Sequence, residues 1–445
     1  MAERTALSTL ETGTMSDLST LGQALGDVRD SDVVALFGRT GSRRRAILFR
    51  LLPKERALAV FESLEPGLAT ELLGSLRDER VSQLIEELDP DDRVTLFDEL
   101  PANVTKKLLQ GLSARERELT ATLLGFPAGS VGRRMSPEYI KVLETMTAAE
   151  ALDHIRAAGH DAETLYFLPV AGENRVVVGA IELRDLLLAH PQAVVGDLMH
   201  EPILISVGDP EEEAARRVVD ADVIATAVVD SEGRLVGIFT FDDAAAILAA
   251  AEAEDAARTG GAEPLRQPYL SARLLAVVRS RVVWLFVLVG ASTLTVAVQD
   301  VFAPTLEQSL ALALFIPMLI GAGGNIGSQA ATTITRALAT KEVRPRDLFR
   351  VLFRELRVGM LLGGTLGLVG FVPAMLLVGP DIALVLLFTV TAIGTLAAAV
   401  GGAIPLGARA ARVDPAIVSA PFISTFVDAT GLVIYFLIAK AVLGI

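Results

Sequence analysis

The sequence predicts a multidomain membrane protein: an α-helical superhelical N-terminal domain, a pair of α/β modules, a linker helix and a five-helix transmembrane domain. Three observations predict it: a twelve-residue leucine period over residues 53–124, a duplicated strand–turn–strand–helix pattern over residues 135–250, and five long apolar stretches after Arg281. The chain has 445 residues and 51% hydrophobic content, too long for one domain and too apolar for a wholly soluble protein.

Charge divides the chain into two parts. Residues 1–265 carry 46 acidic and 26 basic side chains, whereas residues 266–445 carry 8 acidic and 14 basic ones. Such an acidic surface concentrates cations and does not favour nucleic acid. The absence of cysteine excludes thiolate metal sites and disulfides, and all four histidines precede residue 266. The N-terminus lacks a charged-then-apolar signal pattern, so we expect the acidic part to stay in the cytoplasm.

The leucine period predicts a helical solenoid. Pro, Asp or Ser near the start of each unit suits a helix N-terminus, and short helices of this kind bury their apolar faces on their neighbours. We assign residues 41–130 to this domain. Residues 1–40 show little pattern, and we treat them as an N-terminal extension, a type of segment that is commonly mobile. The last place of each unit is occupied by Leu64, Leu76, Leu88, Leu100, Leu112 and Leu124.

The duplicated pattern predicts two α/β modules. Residues 165–188 and 225–248 each form a strand, a polar turn, a second strand through Gly179 or Gly237, and a helix that begins with acids. Met135 and Met199 open the two copies. The pattern resembles a tandem pair of CBS modules, which sense small ligands, and we assign them to residues 131–195 and 196–243. The resemblance makes ATP or another adenine nucleotide a candidate ligand of this pair.

Residues 244–282 form the predicted linker. Residues 244–258 are alanine-rich and favour a helix. After a break at residues 259–268, the amphipathic residues 269–281 approach the membrane.

The transmembrane domain covers residues 283–445, with spans near residues 284–303, 310–337, 358–378, 382–406 and 416–443. Arginine and lysine cluster before the first span, between the second and third, and between the fourth and fifth, while the other two connections carry only acids. The positive-inside rule therefore predicts a multi-pass protein of the cell membrane with its N-terminus in the cytoplasm and its C-terminus outside. Lys440 is the one exception.

Asp428 is the only carboxylate inside the fifth apolar stretch. An ionised side chain there costs several kcal/mol unless it faces water, a partner or an ion, so Asp428 predicts a transport or relay site. The second span also predicts a cavity wall. Its proline and four glycines at 317–327 should weaken or break a helix, and Asn325 and Gln329 should share a face.

The domain order and two motifs, PMLIGAGGNIGSQ (317–329) and DPAIVSAPFISTFVDATGLVIYF (414–436), resemble the MgtE family of magnesium channels. The resemblance implies a homodimer with a ten-helix pore between the second and fifth helices of each subunit. It also implies that Asp428 binds hydrated Mg²⁺ and Ser424 offers its carbonyl. The residues that would line the path are Ala420, Asn325, Gln329 and the backbone of Gly321–Gly324.

The family closes its pore when cytosolic Mg²⁺ fills acidic sites, so the resemblance implies regulatory carboxylates in the acidic part and the linker. Alanines at 246 and 249–251 replace frequent acids of the family's linker helix, which leaves the number and affinity of these sites open. The candidates are Asp89, Asp91, Asp92, Asp209, Glu211, Asp220, Asp222, Asp242, Asp243, Glu254, Asp255 and Asp414.

Three functional hypotheses remain. The first is a Mg²⁺ channel that imports the ion down its electrochemical gradient under control of cytosolic Mg²⁺. The second is a proton-coupled divalent-cation transporter with Asp428 as relay, although five spans do not divide into equal inverted halves. The third is a membrane-anchored ligand sensor. The chain offers no nucleophile–base motif and no GxxxxGK[ST] motif, which argues against an enzyme. Mn²⁺, Co²⁺ and Ni²⁺ accept the same oxygen donors, so the sequence leaves selectivity among them open.

Overall fold

The structure is a computed structural model that describes residues 6–7, 10, 18–26, 28–76, 78–265, 267–415 and 420–444. Two compact units divide the chain: Met1–Ala251 with Leu265–Ala272, and Glu252–Pro264 with Arg273–Ile445. Most of the first unit is a helical array followed by two small sheets, and the second contains the long apolar helices.

Helices in the array begin every twelve residues. They are Asp30–Arg39, Ser42–Leu51, Lys54–Glu62, Pro66–Leu73, Asp78–Glu87, Pro90–Glu99, Ala102–Gly111 and Ala114–Leu124. Proline occupies the first turn of two of them, and the Ser113 hydroxyl caps the last by accepting from the Glu116 N–H. Leu64, Leu88 and Leu112, at the predicted final place of their units, are buried in the common core. The predicted solenoid is confirmed.

The array begins earlier than the predicted boundary at residue 41. Helices Leu18–Gly26 and Asp30–Arg39 contribute Leu21, Val33 and Phe37 to the same core. The assignment of an unpatterned extension through residue 40 is therefore wrong for residues 18–26 and 28–40. Leu10 is also buried in this core.

Two buried arginines join consecutive helices of the array. Arg45 donates from Nε to the Phe37 carbonyl at 3.0 Å and from Nη2 to the Thr40 carbonyl at 2.8 Å. Arg93, four units later, donates to the Ile85 and Leu88 carbonyls in the same way. Each guanidinium donates to carbonyls at the end of the preceding helix, where no further turn supplies backbone N–H donors.

The two α/β modules have the same topology. In the first, strand Val142–Leu143 pairs in parallel with Phe167–Ala171, which pairs antiparallel with Val177–Glu182. In the second, Leu204–Ser206, Ala225–Val229 and Leu235–Thr240 repeat this order. Their helices are Ala148–Ala158, Leu183–Leu188 and Val195–Leu198 in the first part, and Glu211–Asp220 in the second.

The opening segments of the modules are exchanged. Ser136 exchanges backbone hydrogen bonds with Ile238, and His200 does so with Ala180, all at 2.9 Å. Met135 covers Gly237, where an added Cβ would lie 2.7 Å from the methionine sulfur, and Met199 covers Gly179 in the same way. Met135 therefore opens the first copy in sequence but packs against the second sheet.

The linker forms one helix, Phe241–Thr259. Its first turn carries Asp242 and Asp243, and its last turn carries Arg258. The alanine-rich pattern over residues 244–258 predicted most of this helix correctly.

Five helices among the described residues are long and apolar enough to cross a membrane. They are Leu274–Val301, Ile316–Ala339 after a 3₁₀ segment Leu310–Phe315, Leu348–Val378, Pro380–Ala410 and Ala420–Leu443. The first helix includes residues 274–281 of the predicted approach segment. The third helix starts ten residues before its predicted span. Residues 416–419 of the predicted fifth span lie outside the described residues.

Small residues set the packing of these helices. An added Cβ would lie 2.6 Å from the Val390 carbonyl at Gly363 and 2.9 Å from the Leu387 carbonyl at Gly367, so the third helix lies directly against the backbone of the fourth. The Tyr435 hydroxyl of the fifth helix donates to the Leu312 carbonyl at 2.8 Å. This bond anchors the helix that carries Asp428.

Candidate functional site

Asp428 lies in the middle of the fifth membrane helix, Ala420–Leu443. Its Oδ1 atom is buried and has no hydrogen-bond partner among the described residues. A buried carboxylate oxygen without a donor is costly, and a hydrated cation would supply the missing donors and the opposite charge. The solitary carboxylate therefore fits a cation better than it fits packing alone.

On the side of the second membrane helix that faces Asp428, the residue is a glycine. An added Cβ at Gly324 would overlap the Ser424 hydroxyl and lie 3.7 Å from Asp428 Oδ1, and one at Gly323 would lie 2.6 Å from Ile393. The Ser328 hydroxyl donates to the Ala420 carbonyl at 3.2 Å. The structure thus brings Gly324, Ser424 and Asp428 together.

The predicted break in the second span is wrong, since Ile316–Ala339 is one α-helix. The glycines lower intrinsic helix propensity, but their missing side chains let the helix pack against the fifth and fourth helices, and this packing outweighs the propensity. Pro317 falls at the helix start, where its missing N–H costs nothing.

Gly321, Asn325 and Gln329 form an exposed stripe along the second helix. Their four-residue spacing places them on one side, whereas Gly323, Gly324 and Gly327 are buried on another. Asn325 and Gln329 therefore share a face, as predicted, but within one chain that face is uncovered.

Asp414 precedes the fifth helix and contacts the linker helix. Arg258 Nη1 lies 2.9 Å from Asp414 Oδ2, and Arg258 Nη2 forms a second ion pair with Glu254. The guanidinium therefore bridges two of the predicted metal ligands. Asp255 is half-buried on the same helix.

A second site lies in the first unit, around the start of helix Pro90–Glu99. Carboxylate oxygens of Glu62, Asp89 and Asp92 all lie within 4.8 Å of one another. A cavity of about 40 Å³ opens beside Glu62 and Asp92, lined also by Phe61, Pro66 and Ala69. This volume holds an ion or water, since a single water needs about 10–15 Å³ by the same measure.

Three further carboxylates complete what we call the acidic cluster. Asp91 is 6% exposed, and its Oδ1 has no hydrogen-bond partner among the described residues. Asp243 accepts a 2.6 Å hydrogen bond from the Thr240 hydroxyl. The acidic cluster consists of Glu62, Asp89, Asp91, Asp92, Glu163 and Asp243.

Burial and mutual repulsion raise the pKa values of the acidic cluster. Burial is the largest cause, followed by neighbouring carboxylates, and it raises the pKa of Glu62, Asp92 and Glu163 to about 7. The pKa of Asp243 also rises to about 7, chiefly through burial, against the opposing Thr240 hydrogen bond. Burial likewise raises the pKa of Asp91 well above its usual range and that of Asp89 to a smaller extent.

The donor set of the acidic cluster fits a hard divalent cation. In the described parts of the chain, none of its members forms an ion pair with lysine or arginine within 4.0 Å. Carboxylate oxygens are the protein ligands that Mg²⁺ prefers, and the ion would offset the repulsion that raises the pKa values. The unpartnered oxygen of Asp91 agrees with such an ion.

The other acidic residues predicted as metal ligands in the first unit do not belong to the acidic cluster. Asp209 accepts from the Ser206 N–H and pairs with Arg217 at 3.3 Å, and Glu211 pairs with Arg134 at 2.7 Å. Asp220 and Asp222 are exposed at the end of helix Glu211–Asp220. Asp242 is exposed beside Asp243 and contributes to the raised pKa of Asp92.

Sequence reasoning missed Glu62 and Glu163. Glu62 ends helix Lys54–Glu62, and Glu163 lies in the loop before strand Phe167–Ala171. Neither belongs to an acidic run, and their proximity to Asp92 arises from tertiary packing. The twelve-residue period predicts neighbouring helices, but it offers no signal for which acids meet.

Comparison with known families follows the same division of the chain. The family described as divalent cation transporter, MgtE, matches residues 316–438. The MgtE intracellular N domain matches residues 28–129, and the CBS domain matches residues 128–191 and 195–250. The CBS pair predicted from the duplication is confirmed.

Full-length relatives are also similar. A magnesium transporter MgtE of Thermus thermophilus is 36% identical over 456 residues, which cover 100% of this chain and 99% of the relative. One of Bacillus subtilis is 27% identical over 94% of this chain and 92% of the relative. A crystal structure of the cytosolic domain of the Mg²⁺ channel MgtE in complex with ATP is 34% identical, covers 52% of this chain and 95% of that structure, and gives a TM-score of 0.49.

Proposed function

The chain belongs to the MgtE family of magnesium transporters, and from this premise we propose that it is a channel that admits Mg²⁺ to the cytoplasm and closes when cytosolic Mg²⁺ binds the acidic cluster. The observation that carries the proposal is the unpartnered Asp428 oxygen opposite Gly324. Mg²⁺ releases its water reluctantly, so a single carboxylate suits an ion that is held briefly through its hydration shell.

The driving force proposed for entry is the membrane potential. Inward movement of two charges gains roughly 4.6 kcal/mol per 100 mV. With the Arg-rich connections in the cytoplasm and the C-terminus outside, as the positive-inside rule predicts, an inside-negative potential draws Mg²⁺ past Asp428. No coupled ion is needed for this direction of flow.

A homodimer is part of the proposal. Asn325 and Gln329 place amide groups at membrane depth on a face that one chain leaves uncovered. Polar groups at this depth line a wet cavity or lie against protein. A second copy whose stripe faces the first would enclose a polar path, with one Asp428 from each subunit to match the charge of the ion.

Regulation by cytosolic Mg²⁺ is supported by the linker helix. The same helix carries Asp243 of the acidic cluster in its first turn and Arg258, the partner of Asp414, in its last. Mg²⁺ bound at the cluster would remove the repulsion around Asp243 and favour one position of this helix. Nucleotide binding by the CBS pair stays a prediction.

Ion flux into proteoliposomes tests the proposal. Replacement of Asp428 by Asn should lower Mg²⁺ influx about tenfold or more, because the charged contact with the ion is lost. The matched control is Asp381→Asn, which removes an exposed carboxylate at the start of the fourth helix and should leave influx unchanged. Competition by Mn²⁺, Co²⁺ and Ni²⁺ in the same vesicles measures selectivity.

The same vesicles distinguish a channel from a proton-coupled transporter. In a channel, an inside-negative potential increases influx and a proton gradient alone has no effect. Internal pH changes in fixed proportion to Mg²⁺ uptake would instead assign Asp428 a relay role. Unchanged influx in Asp428→Asn would contradict both mechanisms at this site.

A further inference from the structure

The first three turns of the third membrane helix, Leu348–Val378, expose three arginines and two phenylalanines. Phe349 is 80% exposed and Phe353 is 63% exposed. At 100° per residue, these arginines and phenylalanines fall within an arc of about 140° on one side of the helix. We call this surface the Arg/Phe face, and it consists of Phe349, Arg350, Phe353, Arg354 and Arg357.

The arginines of this face lack acidic partners in the described parts of the chain. Arg350, Arg354 and Arg357 form no ion pair within 4.0 Å, and the half-buried Glu355 pairs with none of them. The carboxylate of nearby Asp347 accepts from the Arg344 backbone N–H instead. The Glu355 carboxylate still lies within electrostatic range of Arg354 and offsets part of its charge, so the remaining counter-charge for the three guanidinium groups comes from outside the described residues.

One guanidinium is already oriented by the phenylalanine beside it. The Arg357 guanidinium carbon lies 4.6 Å from the centroid of the Phe353 ring, and Arg357 Nε donates to the Phe353 carbonyl at 3.2 Å. This cation–π contact leaves the two terminal nitrogens free to bind an anion. Less side-chain entropy is then lost when the anion binds.

The length of the helix places this face at the membrane surface. The helix has 31 residues and is about 46 Å long, whereas the hydrocarbon core is about 30 Å thick. If the apolar residues 358–378 fill the core, residues 348–357 extend about 15 Å into and beyond the headgroup layer. Arg357 and Arg354 then lie at the level of lipid phosphates.

We propose that the Arg/Phe face is a docking surface for the headgroups of anionic glycerophospholipids. The positive-inside rule alone accounts for arginines at this end of a span, but it does not account for two highly exposed phenylalanines beside them. Phosphates bind the guanidinium groups, and the rings contact the glycerol and upper acyl carbons. A soluble anion would satisfy only the arginines, so the rings favour a lipid.

Tryptophan quenching by brominated lipid tests the docking surface directly. The chain has 1 tryptophan, so Phe353→Trp in a Trp284→Phe background puts a single reporter on the face and keeps an aromatic ring under Arg357. Vesicles contain phosphatidylcholine and phosphatidylglycerol, with bromine on one lipid at a time. Quenching should report phosphatidylglycerol enriched beside the reporter about fivefold for each guanidinium in contact, since one basic residue near an anionic surface contributes about that factor.

Two sets of variants separate this surface from general surface charge. Arg350→Gln, Arg354→Gln and Arg357→Gln together should abolish the enrichment, while the corresponding Lys variants should keep most of it. The control combination Arg279→Gln, Arg281→Gln and Arg336→Gln removes equal charge from the first and second helices and should leave the enrichment intact. Gel filtration confirms that each variant is folded.

Three outcomes would overturn the proposal. Quenching in proportion to bulk phosphatidylglycerol in the parent reporter would show that no docking occurs. Equal loss in the control combination would reduce the effect to total charge. Abolition of the enrichment by soluble glycerol phosphate would identify a free phosphate site in place of a lipid surface.

Discussion

Asp428 lies beside Gly324 and Ser424 without a second carboxylate among the described residues of its chain, whereas the acidic cluster brings six carboxylates to the start of helix Pro90–Glu99. Both regions contain a buried carboxylate oxygen without a hydrogen-bond partner among the described residues. They differ in the repulsion that an ion would relieve. Within one chain Asp428 has no acidic neighbour among the described residues, so an ion bound there relieves less repulsion and is released more readily.

The acidic cluster stores unfavourable energy when no cation is bound. Four of its members have a pKa of about 7, so at pH 8 they are ionised against burial and against each other. A ligand changes a conformational equilibrium only through its differential affinity for the two states, and relief of this repulsion provides that difference. This contrast agrees with the proposed roles, in which Mg²⁺ passes Asp428 and is sensed by the acidic cluster.

The largest effect expected from this contrast is a pH dependence of Mg²⁺ affinity. Below pH 7 the ion must displace protons from the cluster, so affinity should fall about 10- to 100-fold between pH 8 and pH 6. Isothermal titration calorimetry of the full chain at pH 8, 7 and 6 measures it. Affinity that stays constant over this range would contradict the raised pKa values.

Without Mg²⁺, stability should change in the opposite direction. The folded pKa values of about 7 exceed the unfolded values of 3.8 to 4.5, so the folded state holds protons that the unfolded state has released. The free energy of unfolding should therefore rise as pH falls from 8 to 6, and it gains little below about pH 4. Thermal unfolding in a chelator measures this change at each pH.

A smaller effect is expected when one charge of the cluster is removed. Asp92→Asn should stabilise the Mg²⁺-free protein by about 1–2 kcal/mol, after allowance for solvent screening, because a repelled charge disappears. It should also reduce the stabilisation that Mg²⁺ provides. Thermal unfolding with and without Mg²⁺ at pH 8 measures both quantities.

Asp98→Asn is the matched control on the same helix. Asp98 forms an ion pair with Arg133, so its removal should destabilise the protein by a similar amount with and without Mg²⁺. If both variants respond alike to Mg²⁺, the distinction between clustered and paired carboxylates fails.

The last expected effect concerns the packing of the second helix opposite Asp428. Gly324→Ala inserts a methyl group against Ser424, and overpacking of this kind costs about 1–3 kcal/mol. The apparent melting temperature in detergent should fall, and Mg²⁺ influx with it. Gly290→Ala on the first membrane helix is the control, because nothing lies within 4 Å of its added Cβ, and it should be neutral. Equal tolerance at both positions would mean that the two helices do not pack as described.

Periodic features could be predicted from the sequence because each repeats a local rule. The leucine at every twelfth position predicted six helices, and the duplicated strands predicted the CBS pair. Helices Asp30–Arg39 and Ser42–Leu51 follow the same spacing, but Thr40 takes the place of leucine at the end of the first of these two units, so the period was harder to see.

Features that depend on tertiary contacts could not be predicted. The glycines of the second span indicate a weak helix, and only the contact with Ser424 and Ile393 explains why it remains intact. Likewise, the acids around Asp92 come from separate segments of the chain, and 46 acidic residues in the first 265 leave too many combinations to choose among. The residues that we propose to line a pore came from the family motifs, and their roles as ion ligands stay predictions.

The exchanged opening segments of the CBS pair constrain how this region folds. Residues 199–200 complete the sheet of the first module, and residues 135–136 complete that of the second through the pairing of Ser136 with Ile238, so the second sheet cannot close until the chain has reached Ile238. The contacts are distant in sequence, which favours slow, cooperative formation of both modules together. If the chain were cut in the loop between the modules, the two fragments should remain associated. If either module were expressed alone, the glycine of its sheet, Gly179 or Gly237, would lose the methionine that packs against it.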